Sequence, residues 1–119
     1  MKTILTIILG IFLLSGCSTV SDEELRAAHL AHERGALIID VRSKEEFRVK
    51  HIQNAINIPI EVFEKSYSLI PKDKELIVYC RSGSRSAIAA RFLKDKGHVV
   101  YDVATQGDWE REVPAIEEK

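Results

Sequence analysis

The chain has 119 residues, 45% of them hydrophobic and 29% charged, with a formal net charge of −1 at pH 7. That length holds one hydrophobic core rather than two, and the composition excludes a chain dominated by disorder. Charges of both signs are spread along the sequence rather than clustered, which excludes a nucleic-acid footprint, and no nucleic-acid partner is expected.

At the N-terminus, Lys2 precedes an apolar run from Thr3 to Leu14, the layout of a secretory signal. A membrane-spanning helix needs ~20 apolar residues, and this run stops short of that. It closes on Leu14-Ser15-Gly16-Cys17, which resembles the lipobox of bacterial lipoproteins. The resemblance implies a signal peptide, residues 1–16, that is cleaved, diacylglycerol on Cys17, and a short tether over residues 17–20 ahead of one domain, residues 21–119. The mature protein would then be exported and lipid-anchored, with the membrane as one of its partners. Ser18, being other than Asp, implies the periplasmic face of the outer membrane if the organism is Gram-negative. From Ser18 to Val20 the tether reaches about 10 Å at ~3.3 Å per extended residue. Losing Cys17 to lipid leaves Cys80 with no second cysteine for an intramolecular disulfide. Such a thiol is either buried and inert or kept for its reactivity.

After the tether, Ser21 and Glu24 have the spacing of a capping box that opens a helix to about Arg34, ended by Gly35. The nearly continuous apolar run from Ala36 to Val41 predicts a strand covered on both faces, as in a parallel sheet. Ser43 and Glu46 form a second capping box, with a short helix to about Lys50. Ala55 to Ile58 reads as a strand closed by Pro59. Val62, Phe63, Tyr67 and Ile70 have helical spacing, stopped by Pro71. Glu75 to Tyr79 is a further buried strand, Ser86 to Lys96 an amphipathic helix ended by Gly97, and Val99 to Val103 another strand. The tail from Asp108 has room for a helical turn or two before Pro114. Strands alternating with helices predict an α/β fold, a central mostly parallel sheet flanked by helices.

Cys80 falls at the carboxyl end of a predicted strand, where open α/β sheets bind ligands. Between it and the next helix, Arg81-Ser82-Gly83-Ser84-Arg85 can curl so that backbone N–H groups point inward, with Gly83 free to adopt a conformation other residues avoid. The helix end adds unpaired N–H groups and a positive dipole. Amides, dipole and arginines all favour thiolate over thiol, so Cys80 is expected to act as a nucleophile at neutral pH.

These residues carry a family resemblance. Cys80-Arg81-Ser82-Gly83-Ser84-Arg85-Ser86 resembles the CRxGxRS loop of the rhodanese sulfurtransferases. Leu37-Ile38-Ile39-Asp40-Val41-Arg42, Glu45-Glu46-Phe47, His51-Ile52 and Ala55-Ile56-Asn57-Ile58-Pro59 resemble further signatures of that family, as do Gly97 and the region from Gly107 to Trp109. The chain departs from the family at Lys50, Asn54 and Gln106, where glycine is usual.

The resemblance implies a rhodanese-like fold and two-step sulfur transfer. The Cys80 thiolate takes the outer sulfur of thiosulfate or a similar small anionic donor, and the persulfide then passes it to cyanide or a thiol. Arg81, Ser82, Gly83, Ser84 and Arg85 would form the substrate-binding loop, while Asp40 and Arg42 would hold the strand end or line the pocket rim. Related phosphatases use a longer CxxxxxR loop, and the arginine here falls at CxxxxR, which disfavours a phosphatase-like hydrolase. The remaining alternative is a non-catalytic binding module of the cell envelope. No cofactor is implied and a monomer is expected. His29 and His32 lie three apart on one helix face, but HxxHE supplies no third ligand, so no metal is expected. His51 is read as fixing a turn, and Phe92 and Trp109 as core.

Overall fold

The computed structural model describes residues 20–113. The expected signal peptide, the expected lipidation site at Cys17 and the tail beyond Val113 lie outside the described residues. Within them the elements run α1 (Asp22–Glu33), β1 (Leu37–Asp40), α2 (Lys44–Val49), β2 (Ile56–Asn57), α3 (Phe63–Ser66), β3 (Leu76–Cys80), α4 (Ser84–Asp95), β4 (Val100–Thr105) and α5 (Gln106–Glu110). Among the described residues no helix is long and apolar enough to cross a membrane.

Both capping boxes form. Ser21 and Glu24 bond each other's backbone at the start of α1, and Ser43 and Glu46 do the same for α2. Each satisfies N–H groups that a helix end leaves without an internal acceptor. Gly35 and Gly97, at φ 105° and 95°, make the left-handed exits of α1 and α4.

All four strands are parallel, in the order β2-β1-β3-β4. β1 and β3 are the inner pair, and side chains alternate between two cores on opposite faces. Ile39, Val78 and Cys80 pack with Phe63, Ala89 and Leu93 on one side. Ile38, Ile77, Tyr79 and Val103 pack with Leu25, Ala28 and Trp109 on the other. Burying each large apolar side chain contributes about 1.5–3 kcal/mol, and the continuous apolar run of β3 is explained by its full burial.

Several boundaries differ from the sequence reading, and the third and fourth strands run on to Cys80 and Thr105, beyond the expected Tyr79 and Val103. Pairing in the second strand is limited to Ile56 and Asn57. The segment from Ile60 to Leu69 is two 3₁₀ turns around one turn of α-helix, because Val62 leaves helical geometry at φ −115°, ψ 14°. The helix expected from Ser86 begins two residues earlier, at Ser84, capped by left-handed Gly83. The last helix begins at Gln106, earlier than Asp108, capped by the Thr105 side chain. The departures from glycine find local solutions. Asn54 takes the left-handed conformation at φ 73°, while Lys50 at φ −165° is extended and needs no glycine.

Candidate active site

Cys80 is the last residue of β3, paired in register with Thr105 of β4. Just before this point β4 breaks register: Val78 pairs with Asp102 and Tyr79 with Ala104, skipping Val103. Ala104 sits at φ 68°, and its N–H donates to the Asp102 carboxylate at 3.0 Å. The bulge brings Ala104 against the loop, where its Cβ lies 3.5 Å from where a Cβ on Gly83 would be. At φ 100°, Gly83 turns the chain from strand to helix within three residues.

The turn encloses the sulfur. Cys80 is 2% exposed, and its Sγ accepts the N–H of Gly83 at 3.0 Å and of Ser86 at 3.3 Å. The Ser86 hydroxyl closes the turn by donating to the Gly83 carbonyl at 3.2 Å. Ser84 and Arg85 form the first turn of α4, where N–H groups have no intrahelical acceptor. The arrangement aims backbone dipoles at the sulfur, and these need no reorganisation when charge develops there. Ser82 and Ser84 are exposed, with hydroxyls 3.5 Å apart. With Gly83 they border an open groove whose far wall includes Val20, Glu24 and Asp102.

The two loop arginines are placed differently from the simple picture of two free charges beside the thiol. Arg85 reaches across to α2 rather than back over its own loop. Its Nη1 and Nη2 donate to Glu46 Oε1 and Oε2 at 2.9 and 3.2 Å. Glu46 also accepts the N–H and hydroxyl of Ser43, at 2.9 and 3.1 Å. The Arg85 hydrogen bonds, helped by Ser43, hold the Glu46 carboxyl at about 2, well below the usual carboxylate range. Arg81 approaches the same carboxylate at 3.8 Å, with 78% of its side chain exposed. Glu46 stands out in the sequence as a helix cap and part of the Glu45-Glu46-Phe47 signature, while its partner Arg85 is 39 residues away. No local spacing signals that pair.

Asp40 and Arg42 form a network of their own. Asp40 is fully buried and accepts from the Arg42 backbone N–H at 2.8 Å, from Arg42 Nη2 at 2.7 Å and from the Tyr79 hydroxyl at 2.6 Å. Tyr79 accepts the Ile52 N–H, and Arg42 Nη2 also reaches the Lys50 carbonyl. Burial, aided by the Asp40 charge, pushes the Tyr79 phenol well up, so it remains a donor. These bonds tie β1, β3 and the 50–52 turn together, so the pair serves the frame of the sheet. His51 holds its turn through Nδ1 to the Phe47 carbonyl at 2.8 Å. His29 stacks on buried Trp109 and donates to its carbonyl.

Comparison with known proteins agrees with this geometry. The rhodanese-like domain model matches residues 23–106. The chain belongs to the rhodanese-like family. Among relatives of this rhodanese-like domain is a protein named sulfurtransferase from Allochromatium vinosum, 34% identical over 77 residues, which cover 65% of this chain and 72% of the relative. A rhodanese-related protein from Thermoplasma volcanium superposes with a TM-score of 0.64 at 30% identity, covering 84% of this chain and 98% of that one. A rhodanese with anions from E. coli superposes with a TM-score of 0.56 at 31% identity, covering 66% and 95%. Other relatives are longer. An adenylyltransferase and sulfurtransferase from Ogataea parapolymorpha is 35% identical over 78 residues, and the matched part is 20% of its length.

Proposed function

We propose that this rhodanese-like protein is a sulfurtransferase that carries a sulfane sulfur on Cys80. The observation that carries the reading is the thiol at the end of β3, with the Gly83 and Ser86 amides directed at its sulfur and the first turn of α4 beside it. In the first step the Cys80 thiolate attacks the outer sulfur of thiosulfate or a similar donor. The new S–S bond forms as the donor's breaks, and sulfite leaves with the electron pair. In the second step cyanide or a thiolate attacks the terminal sulfur, and the Cys80 thiolate is the leaving group. Dividing the transfer through a covalent intermediate is nucleophilic catalysis, and the loop amides stabilise the anionic persulfide. The relatives named sulfurtransferase, and the anions in the E. coli rhodanese, support the reading.

Arg81, exposed at the loop, is the group proposed to recruit an anionic donor. Gly83, Ser84 and Arg85 supply the turn and the helix start, with Ser82 at its entrance. The lipobox-like Leu14-Ser15-Gly16-Cys17 supports export and anchoring through lipid on Cys17, with the acceptor met at the membrane surface. Steady-state thiocyanate formation from thiosulfate and cyanide tests the reaction. Turnover that disappears in Cys80→Ala is expected, and equal rates with and without the thiol would overturn it.

A further inference from the structure

The Cys80 loop brings two cations close to one carboxylate, and the pairing is uneven. Arg85 makes two hydrogen bonds to Glu46, whereas Arg81 stays mostly in solvent at 3.8 Å. The negative charge of Glu61 also acts on Arg85, in the same direction as that of Glu46. Both loop arginines therefore share the Glu46 carboxylate, Arg85 closely and Arg81 at a distance, and the loop is less cationic than its CRSGSRS sequence implies. A dianion gains from net positive charge twice what a monoanion gains at the same distance. Screening Arg85 thus takes most from the most highly charged donor.

We propose that Glu46 is a positioning residue that sets the charge of the donor this loop accepts. By pairing with Arg85 it fixes the first turn of α4 against α2 and cancels that arginine's charge, favouring a monoanionic persulfide donor, R–S–S⁻, over the thiosulfate dianion. The inference rests on the sulfur-transfer reading. With such a donor the Cys80 thiolate attacks the outer sulfur, the donor S–S bond breaks, and R–S⁻ leaves with the electron pair. The persulfide is conserved, and no outside oxidant or reductant is needed.

Glu46→Gln separates charge from structure, because glutamine still completes a capping box and still offers Arg85 an acceptor. The decisive reading is the alkylation rate of Cys80, followed on its own peptide, with anionic iodoacetate and neutral iodoacetamide, which are nearly equal in size. Glu46→Gln is expected to raise the iodoacetate-to-iodoacetamide ratio by about threefold or more at low salt, with the gain closing at high salt. Arg85→Gln, which removes the close cationic partner of Glu46 and leaves only the distant Arg81, should move the ratio the other way. In turnover, Glu46→Gln should lower the KM for thiosulfate more than it changes kcat, with little change for a monoanionic persulfide donor. Ratios equal to the parent in both variants would overturn the proposal, because a purely structural change moves both reagents together. A parent that alkylates but forms no persulfide with either donor would overturn sulfur transfer instead, leaving the ratio to judge Glu46.

Discussion

Two of the carboxylate–arginine pairs near the carboxyl end of this sheet differ in what they leave open. Asp40 with Arg42 is closed: the carboxylate is fully buried, and Tyr79 and the Arg42 backbone complete its hydrogen bonds. Glu46 with Arg85 is partly exposed, shares its carboxylate with a second arginine, and lies beside a thiol. The same chemistry thus serves a frame in one place and a charge-tuned loop in the other. Burial with complete pairing marks the first. Incomplete pairing next to a nucleophile marks the second.

That contrast predicts opposite consequences of breaking each pair. Asp40→Ala strands a largely buried guanidinium and should cost about 3–5 kcal/mol, read as a large fall in the urea midpoint. Tyr79→Phe leaves the Ile52 N–H without its acceptor and Asp40 one donor short, a loss of about 1–3 kcal/mol by the same measurement. If either proves near neutral, the closed network is not the frame described here. At the loop, Gly83→Ala forces a side chain to a φ of 100°, with strain of order 1–3 kcal/mol. Its expected signature is a loss of turnover larger than the loss of stability, since the Gly83 amide lies on the sulfur. The smallest effect is on pH dependence. The Glu46 carboxyl is depressed from its ordinary value of 4.5 to about 2, so its contribution to stability is full above the unfolded value and is lost as pH falls toward 2. Melting temperature should therefore decline less steeply over that interval in Glu46→Gln than in the parent, and parallel curves would contradict the pairing.

How much of this was legible in the chain follows the range of each interaction. Ser21 with Glu24 and Ser43 with Glu46 announce their helices because a capping box is local. The buried strand before Cys80 and the left-handed Gly83 are readable for the same reason. The segment from Ile60 to Leu69 misleads, because helical spacing there reflects one apolar face and not an unbroken helix. Three features of the site depend on sheet order and have no local signature: the Arg85–Glu46 pair, the bulge that presses Ala104 toward Gly83, and the Tyr79–Asp40 bond. That Arg85 pairs with Glu46 on α2 rather than within its own loop follows only from the position of α2 against α4.

The central claim is that Cys80 carries sulfur, and mass measurement of the protein after incubation with thiosulfate or a low-molecular-weight persulfide tests it most directly. The account predicts one added sulfur on the Cys80 peptide, removed by cyanide and absent in Cys80→Ala. An unmodified Cys80 peptide with both donors would contradict it.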